Sequence, residues 1–240
     1  MRPGLPLRYL GWMVRDVAVR PGLACLAVAG VFAFIATRMP GQPTPASARD
    51  YLVRTVGQFD WVIVLIATAG LVSWDRASGY YRSLFSQPVS PGFYYLQRWL
   101  LGAVAVAAFV PLMGLGILLV TGSFPFSGPL LARLLLKYLL LGGLTLLLST
   151  VLRADWMIAF LVSVLQSVLY GLDKAGAPLS AFSKLLLRAL PPFQLGAAEA
   201  GTTGYPGGGE LTHGLLYGAA LLALAVVVLT LRPLGSGGRA

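Results

Sequence analysis

The chain has 240 residues, of which 57% are hydrophobic and only 11% charged, and its mean hydropathy is +0.79. That composition excludes an ordinary water-soluble domain, and its repeated apolar runs match the ~20 residues that a helix needs to cross a hydrocarbon core. The net charge of +10 comes from basic residues lying between apolar runs, so it points to anionic headgroups and topology rather than to nucleic acid.

Strict apolar/polar alternation is absent, which excludes a membrane barrel, and open backbone in lipid would leave polar groups unpaired. The expectation is an all-α polytopic membrane protein, one transmembrane domain over 1–240. Residues 5–19 come first. Leu7, Leu10, Val14 and Val17 recur at three- and four-residue steps, while Arg8 and Arg15 lie elsewhere on the wheel. This predicts an interfacial helix with Trp12 near the headgroups. Pro21 opens span 1, about 21–38; Thr37-Arg38-Met39 is a poor cleavage site, so a retained span is expected rather than a signal peptide. A loop with Pro40, Gly41, Pro43 and Pro45 follows. Span 2 is about 57–74, with Asp60 near one end. After a polar connector comes span 3, about 99–121, interrupted by Pro111. A Gly/Pro turn at 121–129 leads to span 4, about 130–152, and Arg153-Ala154-Asp155 to span 5, about 156–172. The longest connector, 173–211, holds an amphipathic piece from Leu179 to Leu190, stopped by Pro191-Pro192, and a Gly-rich stretch. Span 6 is about 212–231. Six spans put both termini on one side. Arg15 and Arg20 before span 1, against Arg38 after it, place that side in the cytoplasm of a cell-membrane protein.

The connector at 75–98 is the most organised polar stretch. Asp75-Arg76 closes one span, Gly79 follows, then Tyr80, Leu84 and Phe85, then Pro88-Val89-Ser90 and Pro91. Phe93, Tyr94, Tyr95 and Arg98 lead into the next span. Arg76 to Ser86 can form about three helical turns with an aromatic tip, ended by Pro88. Tyr94, Tyr95 and Trp99 read as headgroup anchors with Arg98 snorkelling. A short projection of this kind suits a groove on a partner.

This spacing resembles the cytoplasmic connector between the second and third spans of type-2 ATP-binding-cassette (ABC) permeases, the membrane subunits of ABC exporters. In that family an acidic–Arg pair is followed by Gly, Leu, Pro-Val-Ser, an aromatic and a Lys or Arg. Here Asp75 stands where Glu is commoner, and Pro91-Gly92 follows the Ser. The resemblance implies a coupling helix that docks on an ATPase subunit through Gly79, Tyr80, Leu84, Phe85, Pro88 and Val89. It also implies an elbow helix at the N-terminus, short outward helices within 173–211, and a second permease copy or a related permease. ATP and Mg are then expected in the partner ATPase, with no cofactor in this chain.

The residues agree that hydrolysis would be elsewhere. No G-x-x-x-x-G-K-[ST] occurs. His213 is the single histidine, at a water-facing span end, and no G-x-S-x-G accompanies it. The acids are scattered, Cys25 is alone, and no metal cluster is spaced for binding. No catalytic residue is expected. Arg133 and Lys137 share a helix face; they either snorkel to the outer interface or line a path for an anionic substrate, with Gln166 as a further path residue. Ser149, Thr150, Ser163, Gln166 and Ser167 also suit helix–helix hydrogen bonds. The rival readings are a membrane scaffold that recruits soluble partners without moving anything, and a membrane-embedded lipid enzyme.

Overall fold

The computed structural model describes residues 10–17, 45–80, 90–122, 124–196 and 207–231, with scattered positions between 19 and 34. Among the described residues the chain is helical and carries no strand. Among the described residues, four helices are long and apolar enough to cross a membrane: Pro91–Leu119, Gly128–Ser149, Asp155–Lys174 and Leu211–Leu231. A fifth crossing follows if the bent pair Ala48–Gly57 and Phe59–Ala77, meeting at 56°, is one span. The expected first span, 21–38, falls outside the described residues apart from scattered positions.

In chain order, α1 is Leu10–Val17. Met13 is buried while Trp12 is 73% exposed, so one face packs and the other is left to the surroundings; the packed face lies on α4 (Pro91–Thr121). Helix α2 is Pro45–Thr68, and proline suits a helix start because its missing N–H would be unpaired there anyway. The helix therefore begins well before 57, carrying Arg49, Asp50 and Arg54 ahead of the apolar run. A turn at 69–72 separates it from α3, Ser73–Ala77.

Helix α4 also starts on a proline, Pro91, and ends on Gly122 in the left-handed region, whose N–H bonds the Leu118 carbonyl at 2.8 Å. Pro111 does not interrupt it, contrary to the sequence expectation. Membrane helices tolerate proline where neighbouring groups re-satisfy the freed carbonyl.

Helix α5 spans Gly128–Ser149. Its interior, Tyr138–Gly142, is a π-helical turn between two α-helical pieces. It is the central helix: 67% of its apolar window is buried, against 22% for the last helix. Helix α6 is Asp155–Lys174 and α7, the expected amphipathic piece, is Ala181–Ala189, capped by the Ser180 hydroxyl. A short 3-10 turn, Phe193–Gly196, precedes α8, Gly208–Leu231. Helix α2 packs on α4, α4 on α8, and both α6 and α8 on the second half of α5.

Close approach holds these contacts, since lipid removes most of the hydrophobic drive between helices. A methyl on Gly218 would lie 2.3 Å from Leu139 Cγ, and one on Gly102 2.5 Å from the Tyr138 hydroxyl. That hydroxyl donates to the Trp99 carbonyl at 2.6 Å, tying the π turn to α4.

Two further sequence expectations change. Tyr94, Tyr95, Trp99 and Arg98 do not face headgroups; all four are buried in the bundle. Ser149 and Thr150 bond carbonyls of their own helix, Leu146 and Leu147, rather than another helix.

Gly70 sits at φ +71, and a methyl there would lie 2.6 Å from the Trp74 ring. Gly122 has the same φ sign with open space around it. Gly122→Ala is expected to lose about 1 kcal/mol from left-handed strain alone. Gly70→Ala should lose clearly more, because the indole must also move. Thermal unfolding of both variants in one detergent checks the order.

Candidate functional site

The base of the 75–98 connector is built by four elements. Helix α3 supplies Asp75 and Arg76, α4 supplies Tyr95 and Arg98, α1 supplies Asp16, and the junction of α5 and α6 supplies Thr150 and Asp155, the first residue of α6. Arg98 lies at the centre. Its Nη1 donates to Asp75 Oδ2 at 2.9 Å and to the Leu71 carbonyl at 3.2 Å. Its Nη2 donates to Asp16 Oδ2. Tyr95 adds a hydroxyl to the same Asp75 oxygen at 3.2 Å. A guanidinium shared between two carboxylates in a largely buried setting is well suited to fixing orientation, because its planar fork leaves little freedom once bonded.

A second tie crosses to the far side of α3. Arg76 Nη1 donates to the Thr150 carbonyl at 2.7 Å. Asp155, wholly buried, accepts from the Gly70 N–H at 3.1 Å and from the Ser73 hydroxyl at 3.3 Å. The turn at 69–72 breaks the helical ladder, and Asp155 takes up a backbone donor exposed by that break. Thus the Asp75-Arg76 pair reaches in two directions, one residue to α4 and the other to the α5–α6 turn. A load on α3 would be carried to both.

Of the residues implied as ATPase contacts, Gly79 lies in the left-handed region at φ +72, just past α3, and Tyr80 is 42% exposed. Leu84, Phe85, Pro88 and Val89 lie outside the described residues.

The three residues offered as a substrate path have separate surroundings. Lys137 is buried, and its ammonium bonds both oxygens of Asp60, at 2.6 and 2.7 Å. Gln166 is fully buried on α6 and pairs with the Gln194 side chain from the 3-10 turn. Arg133 is partly buried one turn before Lys137 on α5. His213, on α8, faces the Tyr217 ring edge-on, and the Tyr217 hydroxyl donates to the Ala189 carbonyl, holding the end of α7.

Sequence reasoning left Asp16, Asp155 and Gln194 unassigned, considered Thr150 only for its hydroxyl and not for the carbonyl that Arg76 reaches, and noted Asp60 without its partner. Asp60 carried a usable signal: a carboxylate within a span needs a cation or a polar cavity. Asp155 carried none, because only the tertiary break at 69–72 gives it a task.

No family model, curated protein or solved structure matches this chain.

Proposed function

We propose that this chain is the membrane permease subunit of an ATP-driven exporter of the type-2 ABC class. In this reading it has six spans with both termini cytoplasmic and an elbow helix at its start. It pairs with a second permease copy or a related permease, and ATP and Mg are held by separate ATPase subunits. The reading rests on the motif at 75–98, and one observation supports it best: the base of that connector is tied by Asp75 to Arg98 and by Arg76 to Thr150. A projection on a braced base can pass a push from an ATPase into α4 and α6 rather than absorb it, and the spans then switch between two packed arrangements.

Leu84→Asp and Phe85→Asp test it. Each is expected to weaken capture of the ATPase by about tenfold or more, the worth of an anchor residue in an interface, while membrane insertion is unchanged. Unaltered assembly together with unaltered stimulated hydrolysis would defeat the coupling role. Capture of an ATPase without any ATP-dependent export would favour the scaffold instead.

A further inference from the structure

Helix α7 is amphipathic and has no buried residue. Its side chains fall into three stripes, about a third of a turn apart at the helical step of ~100° per residue. Ser183, Leu186 and Leu187 are half-buried and make the packed side, where α7 lies on α6. Phe182, Leu185 and Ala189 make a second stripe, which is exposed, Phe182 by 71% and Leu185 by 65%. Lys184 and Arg188 make the third and are exposed as well. Among the described residues neither cation has a hydrogen-bond or ion-pair partner, and the run 175–196 carries no acid.

Two contacts fix the depth of this helix. The Tyr217 hydroxyl donates to the Ala189 carbonyl at 2.8 Å. Tyr217 stands six residues past Leu211, where the apolar part of α8 opens, which is ~9 Å along the axis. Just beyond α7, Phe193 is buried and Gln194 meets Gln166. Gln166 lies eight residues before Lys174, the end of α6, or ~12 Å along its axis. Helix α7 thus ends where headgroups give way to acyl chains, the depth at which an interfacial helix buries its apolar side. There the Phe182 and Leu185 stripe meets acyl chains while the neighbouring cations meet phosphates. Residues four apart on a helix have Cβ atoms ~6 Å from each other, so both cations can reach one phosphate, Arg188 with its planar fork and Lys184 as a point charge.

We propose that α7 binds an anionic phospholipid of the adjacent leaflet, with the phosphate between Lys184 and Arg188 and an acyl chain along Phe182 and Leu185. Charge complementarity selects this occupant. Two cations, no acid within 175–196 and an apolar stripe beside them fit a phosphate joined to a hydrocarbon chain, whereas a soluble anion would leave Phe182 and Leu185 in water. The site is independent of the transport reading, and its test needs no ATPase. A photoreactive benzoylphenylalanine takes position 182 in the full chain, which is placed in nanodiscs of phosphatidylcholine. Trace alkyne-tagged phosphatidylglycerol or phosphatidylcholine is added, and the tagged lipid crosslinked to the chain is measured. Both leaflets have the same composition, so the result does not depend on which way the chain faces. The expected result is capture of the glycerol lipid about tenfold above the choline lipid at equal fraction, in keeping with two basic groups at a membrane surface.

Charge variants test the phosphate contact without touching the packed side of α7. Lys184→Gln combined with Arg188→Gln is expected to bring the two lipids to equal capture, and each single change to lower the preference about threefold. Lys184→Arg retains the charge and should retain the preference. Equal capture of the two lipids by the parent chain would overturn the proposal, leaving an interfacial helix without a choice of headgroup. So would a preference that survives the double change, or one that is lost in Lys184→Arg. Crosslinking from position 182 to residues 197–206 or to a second copy of the chain, in place of lipid, would also overturn it, by giving the exposed stripe to a protein contact.

Discussion

Lys137→Met is expected to destabilise the folded chain by about 3 kcal/mol, read as a shift in SDS-driven unfolding from mixed micelles. The physical reason is asymmetry. Lys137 and Asp60 are each more expensive alone in the interior than they are together, and removing one leaves the other stranded. The ammonium reaches both carboxylate oxygens, so the contact is charge-assisted twice over. Asp60→Leu combined with Lys137→Met should recover more than half of the loss, since a pair of apolar residues strands nothing. A single variant as stable as the parent would show that the pair does not hold α2 to α5. A double variant no better than the singles would show that packing volume, not charge, sets the cost.

Asp155→Ala is expected to lose about 2–3 kcal/mol in the same assay, because it leaves the Gly70 N–H and the Ser73 hydroxyl without their buried acceptor. Asp155→Asn retains one acceptor oxygen and should lose about half as much. This pair also bears on the proposed coupling. If the α5–α6 turn carries motion from α3, Asp155→Asn should lower partner-stimulated ATP hydrolysis by more than its small loss of stability would, whereas Gly122→Ala, similarly destabilised at the far end of α4, should not. Full stimulation in Asp155→Asn would remove that turn from the route.

Sequence legibility differed sharply between local and distant features. Helices α4, α5, α6 and α8 were readable because each is an apolar run long enough to cross, though α4 begins at Pro91 and α8 at Gly208, before the expected 99 and 212. The amphipathic α7 was readable from its period and from Pro191-Pro192. The start of α2 was not, since Arg49, Asp50 and Arg54 look like loop residues to any hydropathy criterion. The pull of Pro111 was overestimated: α4 runs through it unbroken from Pro91 to Thr121. The roles of Arg98 and Tyr95 were misjudged for one reason: aromatic and basic residues at a span end usually face the interface, and here Asp16, Asp75 and the Leu71 carbonyl, brought close by folding, take the Arg98 guanidinium and the Tyr95 hydroxyl inward. The same limit hid the partner of Lys137 and the task of Asp155. Composition identifies a costly group, but the fold decides what compensates it.

The π turn at Tyr138–Gly142 has a consequence for spacing. Such a turn accommodates one residue more than the helix around it. Deleting any one of Leu139, Leu140 or Leu141 would let the stretch relax to ordinary helix with its two flanks still in phase, whereas deleting one residue of the α-helical stretch after it, Leu144 to Leu148, would swing everything before the deletion by about 100° against everything after it. Lys137 would then point away from Asp60 while Ser149 and the turn beyond it kept their place. Two charges 77 positions apart thus meet because of how many residues lie between Gly128 and Ser149, and not only because of which residues those are.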